Sequence, residues 1–421
     1  MVNDREVRAL MRILLVSPLC PLPLEKGGAV RIWNIAKHLS KNYVVDLVCF
    51  IRDEGEKRHE DSLKKVFNSV KFIKRRGLLD RSALTGGLLA PVRFVISNSS
   101  LLSDTLFSSR PLLSHLYDSA EMREFLLEAD RSGKYSLIYA ETFYGIASLK
   151  DQLKNIRTKM LLVEQNIESQ AYARQADQQD NPLLKRLMKL DVAKIYAEEG
   201  YFWNNCSVVG GLSDVDVSEI KKRSGNDTVW QIDNGVDVAH FSEKVISRKD
   251  DELLFVGSLS YFQNIDALKW LIDEIWPSIK NKNVSLRIVG RGADSALKHY
   301  VHEQGLVIDE SVEDIREAFQ SATMLVAPIR AGSGTKYKVL ESMASHLPVV
   351  TTTVGAEGLR IMSGEEALIA DSAEGLVAHI DTLLQDDQYR DVLAQKAYEF
   401  VSTQYDWKSI VSRFEESLAT L

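Results

Sequence analysis

Short runs of aliphatic and β-branched residues alternate along this chain with longer stretches whose apolar positions recur every three to four residues. RILLVSP at 12–18 predicts a buried strand, and AVRIWNIAKHLSK at 29–41 an amphipathic helix, with a Pro- and Gly-rich loop ending at Gly28 between them. Further strands are predicted at 43–50, 70–74, 136–140 and 159–163, then a helical segment at 183–204 and a strand within CSVVGGLS. The design then restarts. ELLFVGSL (252–259) repeats the role of RILLVSP, NIDALKWLIDEIWPSI (264–279) is again an amphipathic helix, and strands are predicted at 285–290, 324–329 and 348–353. Such alternation signals a parallel α/β architecture of two doubly wound, Rossmann-like domains, at 11–232 and 252–404. An Asn-Gly turn and a charged run mark 232–252 as the linker, and an amphipathic helix follows YDWKSI (405–410).

Composition changes this picture little. The 421 residues are 45% hydrophobic and 26% charged, with a net charge of −7, the profile of a folded protein and not of a dedicated nucleic-acid binder. The total hides a split: residues 1–200 hold 31 Lys+Arg against 25 Asp+Glu, and residues 201–421 hold 21 against 34. No apolar run reaches the roughly 18 residues of a membrane-spanning helix. The stretch ILLVSPLCPLPL (13–24) follows a leader carrying Asp4 and Glu6 and is broken by three prolines, so it is read as the first strand and not as a secretory signal. Cys20, Cys49 and Cys206 have neither metal-ligand spacing nor a disulfide framework. The expectation is a cytoplasmic protein, in which the sequons at Asn98, Asn205, Asn226 and Asn283 are chance.

The most informative segment is APIRAGSGTKYKVLESMASHLPVVTTTVGAEGL (327–359). A strand ends at Ile329, Arg330 through Thr335 form a glycine-rich loop, and a short helix begins near Thr335. Val339, Leu340, Met343 and Ala344 make its inward stripe, which leaves Lys338 and Glu341 together on the other face. A strand, a glycine loop and a helix start suit a phosphate, Lys338 adds a cation, and Glu341 suits two adjacent ribose hydroxyls. The loop is not a Walker loop, since no Gly-Lys-Ser/Thr follows. The competing reading is an ordinary surface Lys–Glu pair worth about 0.3–0.5 kcal/mol.

NGVDVAHF, FVGSL…NIDAL, RIVG and GSGTKYKVLESMA…PVVTTTVGAEGL resemble the family-4 (group 1) retaining glycosyltransferases of the GT-B fold, in the form associated with bacterial exopolysaccharide systems. The resemblance runs from RILLVSP to YDW and is strongest over 252–359. It implies two domains facing across a cleft, a C-terminal domain that binds the nucleotide sugar, and a last helix (405–421) packing back on the N-terminal domain. It makes Glu341 the second glutamate of the Glu-x7-Glu signature, which binds the donor ribose. The first glutamate would stand at Ser333, a departure that implies altered recognition of the donor sugar. Lys338 is assigned to the diphosphate. The usual Arg/Lys pair after FVG is missing, since Ser258 and Asn264 are uncharged, so charge stabilisation falls to Lys338, Arg330 or Arg291 and to backbone donors around Gly257, Gly332 and Gly334.

The loop PLEKGGAVRIW (23–33) resembles the family's glycine loop, in which Gly27 and Gly28 allow close approach of an anion; a plain turn is the alternative. Arg31 either reaches the cleft or is solvated. LLVEQNIESQAYARQ (161–175) resembles the E-x-N-x-E-S segment of related sugar transferases and makes Glu164 and Glu168 candidates, as strand-end placement does for Glu141; a structural role opening a helix is the alternative. No histidine, His38 included, shows a pairing that demands catalysis. Residues 71–93 carry six Lys/Arg against Asp80 alone, which suits a membrane surface or an anionic acceptor, against a solvated basic loop.

The reading is a metal-independent, cofactor-free glycosyltransferase that moves a sugar from a nucleotide diphosphate sugar to a glycan or lipid-linked glycan hydroxyl in polysaccharide biosynthesis. Retention is the family's expectation, with the departing phosphate helping to take the acceptor proton. Nucleic acid is not a partner, and peripheral contact with the inner face of the plasma membrane would run through 71–93. Two alternatives stay open: a non-catalytic nucleotide-sugar-binding partner in an assembly complex, motivated by Ser333, and an NDP-sugar epimerase.

Overall fold

The structure is a computed structural model that describes residues 11–76, 108–177, 179, 181–246, 251–279, 283–292, 299–300, 304–332 and 334–421. Ser333 and residues 77–93 of the basic stretch lie outside the described residues. The chain forms two compact units, Met1–Ile232 with Phe414–Leu421, and Asp233–Arg413.

The first unit is built on a seven-stranded parallel sheet: β1 (Arg12–Ser17), β2 (Val44–Ile51), β3 (Ser69–Lys74), β4 (Leu137–Glu141), β5 (Lys159–Val163), β6 (Val208–Gly211) and β7 (Val229–Gln231), in the order β3-β2-β1-β4-β5-β6-β7. Ile13 through Val16 are fully buried, as a strand covered by helices on both faces requires. Register places Ile13 beside Val45 and Leu137. Asp46 sits near the start of β2 among four donors, Arg12 (2.6 Å), Asn68 (2.8 Å), Ser69 (2.7 Å) and Tyr135 (3.0 Å). Burial alone would raise its pKa, but these bonds hold it well below the usual carboxylate range. Phe414 packs edge-on against Tyr139 and Trp230, and Asn42 donates to Glu415 at 2.9 Å, so the end of the chain is part of this unit.

The second unit repeats the plan with β8 (Glu252–Val256), β9 (Ser285–Val289), β10 (Leu306–Asp309), β11 (Met324–Ala327), β12 (Val349–Thr351) and β13 (Leu368–Ile369), in the order β10-β9-β8-β11-β12-β13. The short strands β7, β10 and β13 were not expected from the apolar pattern, because each has at most four residues and partial exposure. The helix expected over 264–279 is regular only over Phe262–Trp270; it widens into a π turn at Leu271–Ile275 and tightens into a 3-10 turn at Trp276–Ser278. Pro277, which cannot donate a backbone hydrogen bond, explains the break. The segment expected as a linker is packed: Val236, Val238 and Phe241 join the second unit's core, and Val236 N–H donates to the Tyr405 carbonyl at 2.8 Å. Among the described residues no helix is long and apolar enough to cross a membrane.

Candidate functional site

In the second unit the strand order reverses between β8 and β11, so the loops leaving their C-terminal ends diverge and frame a crevice, the place where such sheets bind ligands. Gly257 follows β8 and Gly290 follows β9. A β-carbon on Gly290 would lie 2.0 Å from the Gly257 carbonyl oxygen, and one on Gly257 would lie 2.8 Å from the Asn264 side chain. Backbone therefore packs on backbone, and the first helix beyond β8, Phe262–Trp270, lays Asn264 over the loop. Asn264 Nδ2 donates to the Ser258 carbonyl (2.8 Å), and its Oδ1 accepts from Lys338 Nζ (2.9 Å). The sequence marked Asn264 only as uncharged; the structure makes it the bracket between the Gly257–Ser258 loop and the lysine.

The loop after β11 is braced by the threonine run. Thr351 Oγ1 donates to the Ala327 carbonyl at 2.7 Å, Thr352 Oγ1 donates to the Ile329 carbonyl, and Gly355 N–H donates to Thr352 Oγ1 at 2.9 Å. Gly332 (φ 117°) and Gly334 (φ 73°) adopt left-handed backbone that a side chain would strain. Lys336 then donates to the Gly334 carbonyl at 2.7 Å and stands 4.0 Å from Glu357. Neither partner was identified from the sequence, where the Lys-x-Lys spacing before the helix was the available signal. The helix starts at Tyr337, two residues later than expected, because Lys336 is extended (φ −89°, ψ 97°) and no side chain caps it. Thr335 is half-buried in the turn.

Val339, Leu340, Met343 and Ala344 of this helix, Tyr337–Ala344, are fully buried, while Lys338 and Glu341 are half-buried. The two charges do not pair as a surface bridge: Lys338 bonds Asn264 and lies 5.1 Å from the Phe255 ring centroid. Burial lowers the Lys338 pKa to about 7, helped by the charge of Lys336 and opposed by Glu341. Burial raises that of Glu341 to about 7, opposed by Lys338. Both groups are thus held at a cost that an incoming anion and a pair of hydroxyls would relieve.

The other charges expected here are placed differently. Arg330 pairs with Asp266 at 2.8 Å and lies over Trp270, 4.7 Å from its ring centroid, so its charge is matched within the fold. Arg291 is exposed, and its carbonyl accepts from Leu259 N–H at 2.8 Å, which ties the β8 and β9 loops together. Ser258 Oγ lies 2.8 Å from Ser260 Oγ.

The candidates in the first unit gather into internal networks. Arg31, expected to be solvated or to reach a cleft, is buried and forms an ion pair with the equally buried Glu141 at 3.2 Å. Arg31 also donates to the Ile232 carbonyl at 3.0 Å, and Glu141 accepts from Tyr139 and from Gln165 Nε2 at 2.9 Å. Gln165 packs over Gly28, where a β-carbon would lie 2.5 Å from Gln165 Oε1 and push that side chain aside; Gly27, one residue earlier, is exposed. The close approach at Gly28 is therefore made by this unit's own side chain. Glu164 is buried beneath the sheet end, accepting from Trp203 Nε1 at 3.0 Å and Phe143 N–H at 3.3 Å, and burial pushes its pKa well up. Glu168 is half-buried beside Tyr144, with its pKa raised to about 7 by burial and by the charge of Glu199. Glu199 is itself held by Ser169 and Arg223. These contacts give Arg31, Glu141 and Glu164 structural work.

Two doubly wound parallel sheets, the second with a glycine-rich loop before a Lys/Glu helix, make up the GT-B fold, and known proteins share it. Residues 250–386 match the family model described as Glycosyl transferases group 1. The chain is 23% identical over 423 residues to a 44.6 kDa protein of the cps region of Klebsiella pneumoniae, covering 95% of this chain and 98% of that one. It is 29% identical over 218 residues to a phosphatidyl-myo-inositol mannosyltransferase of Mycolicibacterium smegmatis, covering 48% of this chain and 55% of the relative. Among solved structures it is similar to Anabaena HepE in complex with UDP and glucose, with TM-score 0.65 and 16% identity over 98% of this chain and 100% of that one. Residues 250–386 thus carry a group 1 glycosyl transferase domain, and the relative named for its activity is a glycosyltransferase.

Proposed function

We propose that the protein transfers a sugar from a nucleotide diphosphate sugar to a hydroxyl of a glycan or lipid-linked glycan in polysaccharide assembly, with retention of anomeric configuration and without a metal. The observation that carries this reading is the half-buried Lys338, held by Asn264 beside the Gly332–Gly334 turn, with Glu341 one helical turn on. Lys338 faces the charge that grows on the leaving diphosphate as the glycosidic C–O bond breaks, and Glu341 accepts from the donor ribose hydroxyls. As the donor C–O bond breaks and the acceptor oxygen bonds to the same carbon, the departing phosphate oxygen takes the acceptor hydroxyl's proton, so the site needs no separate base. The names of the cps-region relative and the phosphatidylinositol mannosyltransferase support a glycan or lipid-linked acceptor, and the HepE complex supports a uridine donor.

The test is turnover of a panel of nucleotide sugars with a membrane extract as acceptor source, with NMR of the product's anomeric proton. Transfer with the donor's configuration, lost in Lys338→Ala and Glu341→Ala, is expected. Binding without turnover would favour the non-catalytic partner suggested by Ser333, and interconversion of free donor without acceptor would favour the epimerase.

A further inference from the structure

A cavity of about 390 Å³ opens in the first unit at the C-terminal ends of β1, β2 and β3, and its lining includes Lys26 and Ala29 on either side of Gly27 and Gly28. Pro18, Cys20, Phe50 and Tyr117 are among its lining, as are four cations: Lys26, Arg52, Arg58 and Arg75. They come from three separate loops, those following β1, β2 and β3, so their convergence is a product of the fold and not of one basic run.

Three acids, Glu25, Asp53 and Glu56, share the wall with these four cations and match them only in part. Asp53 accepts from Gly55 N–H at 2.9 Å, and Glu56 pairs with Arg52 at 2.9 Å. Arg75 donates to Tyr117 Oη at 3.3 Å, and Arg58 to His59 at 3.3 Å. The Lys26 ammonium has no hydrogen bond or ion pair among the described residues, and Glu25 is the remaining acid on the wall. Burial lowers the Lys26 pKa, as do the charges of Arg52 and Arg75, against the smaller opposing influence of Glu56 and Glu25. The wall thus holds one cation more than it holds acids, and the field at Lys26 is that of the excess.

We propose that this cavity binds a phosphate group of the acceptor, with Lys26, Arg52 and Arg75 as its ligands. The inference rests on the transferase reading for the word acceptor, and on the first unit alone for the anion site. Guanidinium groups match phosphate oxygens in pairs, an ammonium supplies a point charge, and Tyr117 and Phe50 give an apolar surface beside them. Neutral hydroxyls alone would leave the repulsion among the cations unrelieved.

Inorganic pyrophosphate is the probe, titrated calorimetrically into the full-length protein and into two variants. Lys26→Ala/Arg52→Ala removes two exposed side chains of the cavity; Lys338→Ala removes the donor-side cation. The expected result is two binding events in wild type, one lost in each variant, with the cavity event weakened at least tenfold in Lys26→Ala/Arg52→Ala and by added salt. Pyrophosphate binding that is the same in Lys26→Ala/Arg52→Ala as in wild type overturns the proposal, even where Lys338→Ala abolishes a site. A cavity event that persists in a Lys338→Ala protein unable to bind any nucleotide sugar upholds the anion site while the donor assignment falls. Competition of the cavity event by a soluble sugar phosphate, or by vesicles carrying a phosphomonoester lipid in place of neutral phosphatidylcholine, identifies which source supplies the phosphate; competition by neither overturns its assignment to an acceptor.

Discussion

Both sheets reverse strand order beside their first strand, yet the charges set at the two reversals are treated in opposite ways. In the first unit Arg31 and Glu141 are sealed together, and Tyr139, Gln165 and the Ile232 carbonyl take up further bonds around them. In the second unit Lys338 and Glu341 share a helix face without bridging, half-buried, and both are pushed toward neutrality by burial. A buried charge matched from within its own fold is architecture. A half-buried charge whose desolvation is only partly compensated is a site that a ligand completes. Sequence spacing sets Lys338 and Glu341 together on one helix but gives no sign that Arg31 and Glu141, 110 positions apart, meet.

The comparison can be broken by mutation. Glu141→Ala should be the most damaging change, costing about 3–5 kcal/mol of stability because it strands a buried guanidinium; denaturant unfolding checks this, and donor affinity of the fraction that folds should be unchanged. Lys338→Ala should do the reverse, lowering kcat/KM about 100-fold or more through lost charge stabilisation, with an unfolding midpoint no lower than wild type. A pH series sharpens the assignment. Donor binding needs Lys338 protonated, so affinity should fall as pH rises above about 7; it needs Glu341 ionised, so it should fall again below about 7. A maximum near neutrality that turns into a one-sided profile in Glu341→Gln is expected by calorimetry. Asn264→Ala should weaken donor binding about tenfold through loss of a charge-assisted bond, with the alkaline limb of the profile displaced as Lys338 is released. Smallest of all, Gly28→Ala should cost about 1–2 kcal/mol from its clash with Gln165, and Gln165→Ala should relieve much of that cost in a double-mutant cycle.

Much of the architecture was legible because parallel strands buried on both faces are written as unbroken apolar runs. RILLVS, VVDLVCFI and ELLFV each appear as strands within one or two residues of expectation at their starts. The edge strands Val229–Gln231 and Leu306–Asp309 were not, since a short, partly exposed strand has no such run. At the site, the spacing of Lys338 and Glu341 on a short helix could be read directly, because i and i+3 share a face whatever the surroundings. What Asn264 does could not: it reaches Lys338 across 74 positions of sequence, through a contact that exists only once β8 and β11 are adjacent. The same holds for Arg31 and Glu141, separated by 110 positions, whose mutual burial removes both from the surface. Gly28 teaches the finer lesson, that a glycine placed for close approach does not say what approaches.

The most direct test of the central claim is a thermal-unfolding panel of UDP-, GDP-, dTDP- and ADP-sugars on wild type and Lys338→Ala. At least one donor should raise the wild-type Tm in step with the logarithm of its concentration, and the rise should disappear in Lys338→Ala while the ligand-free Tm is retained. No rise with any donor, or an equal rise in both proteins, would contradict it.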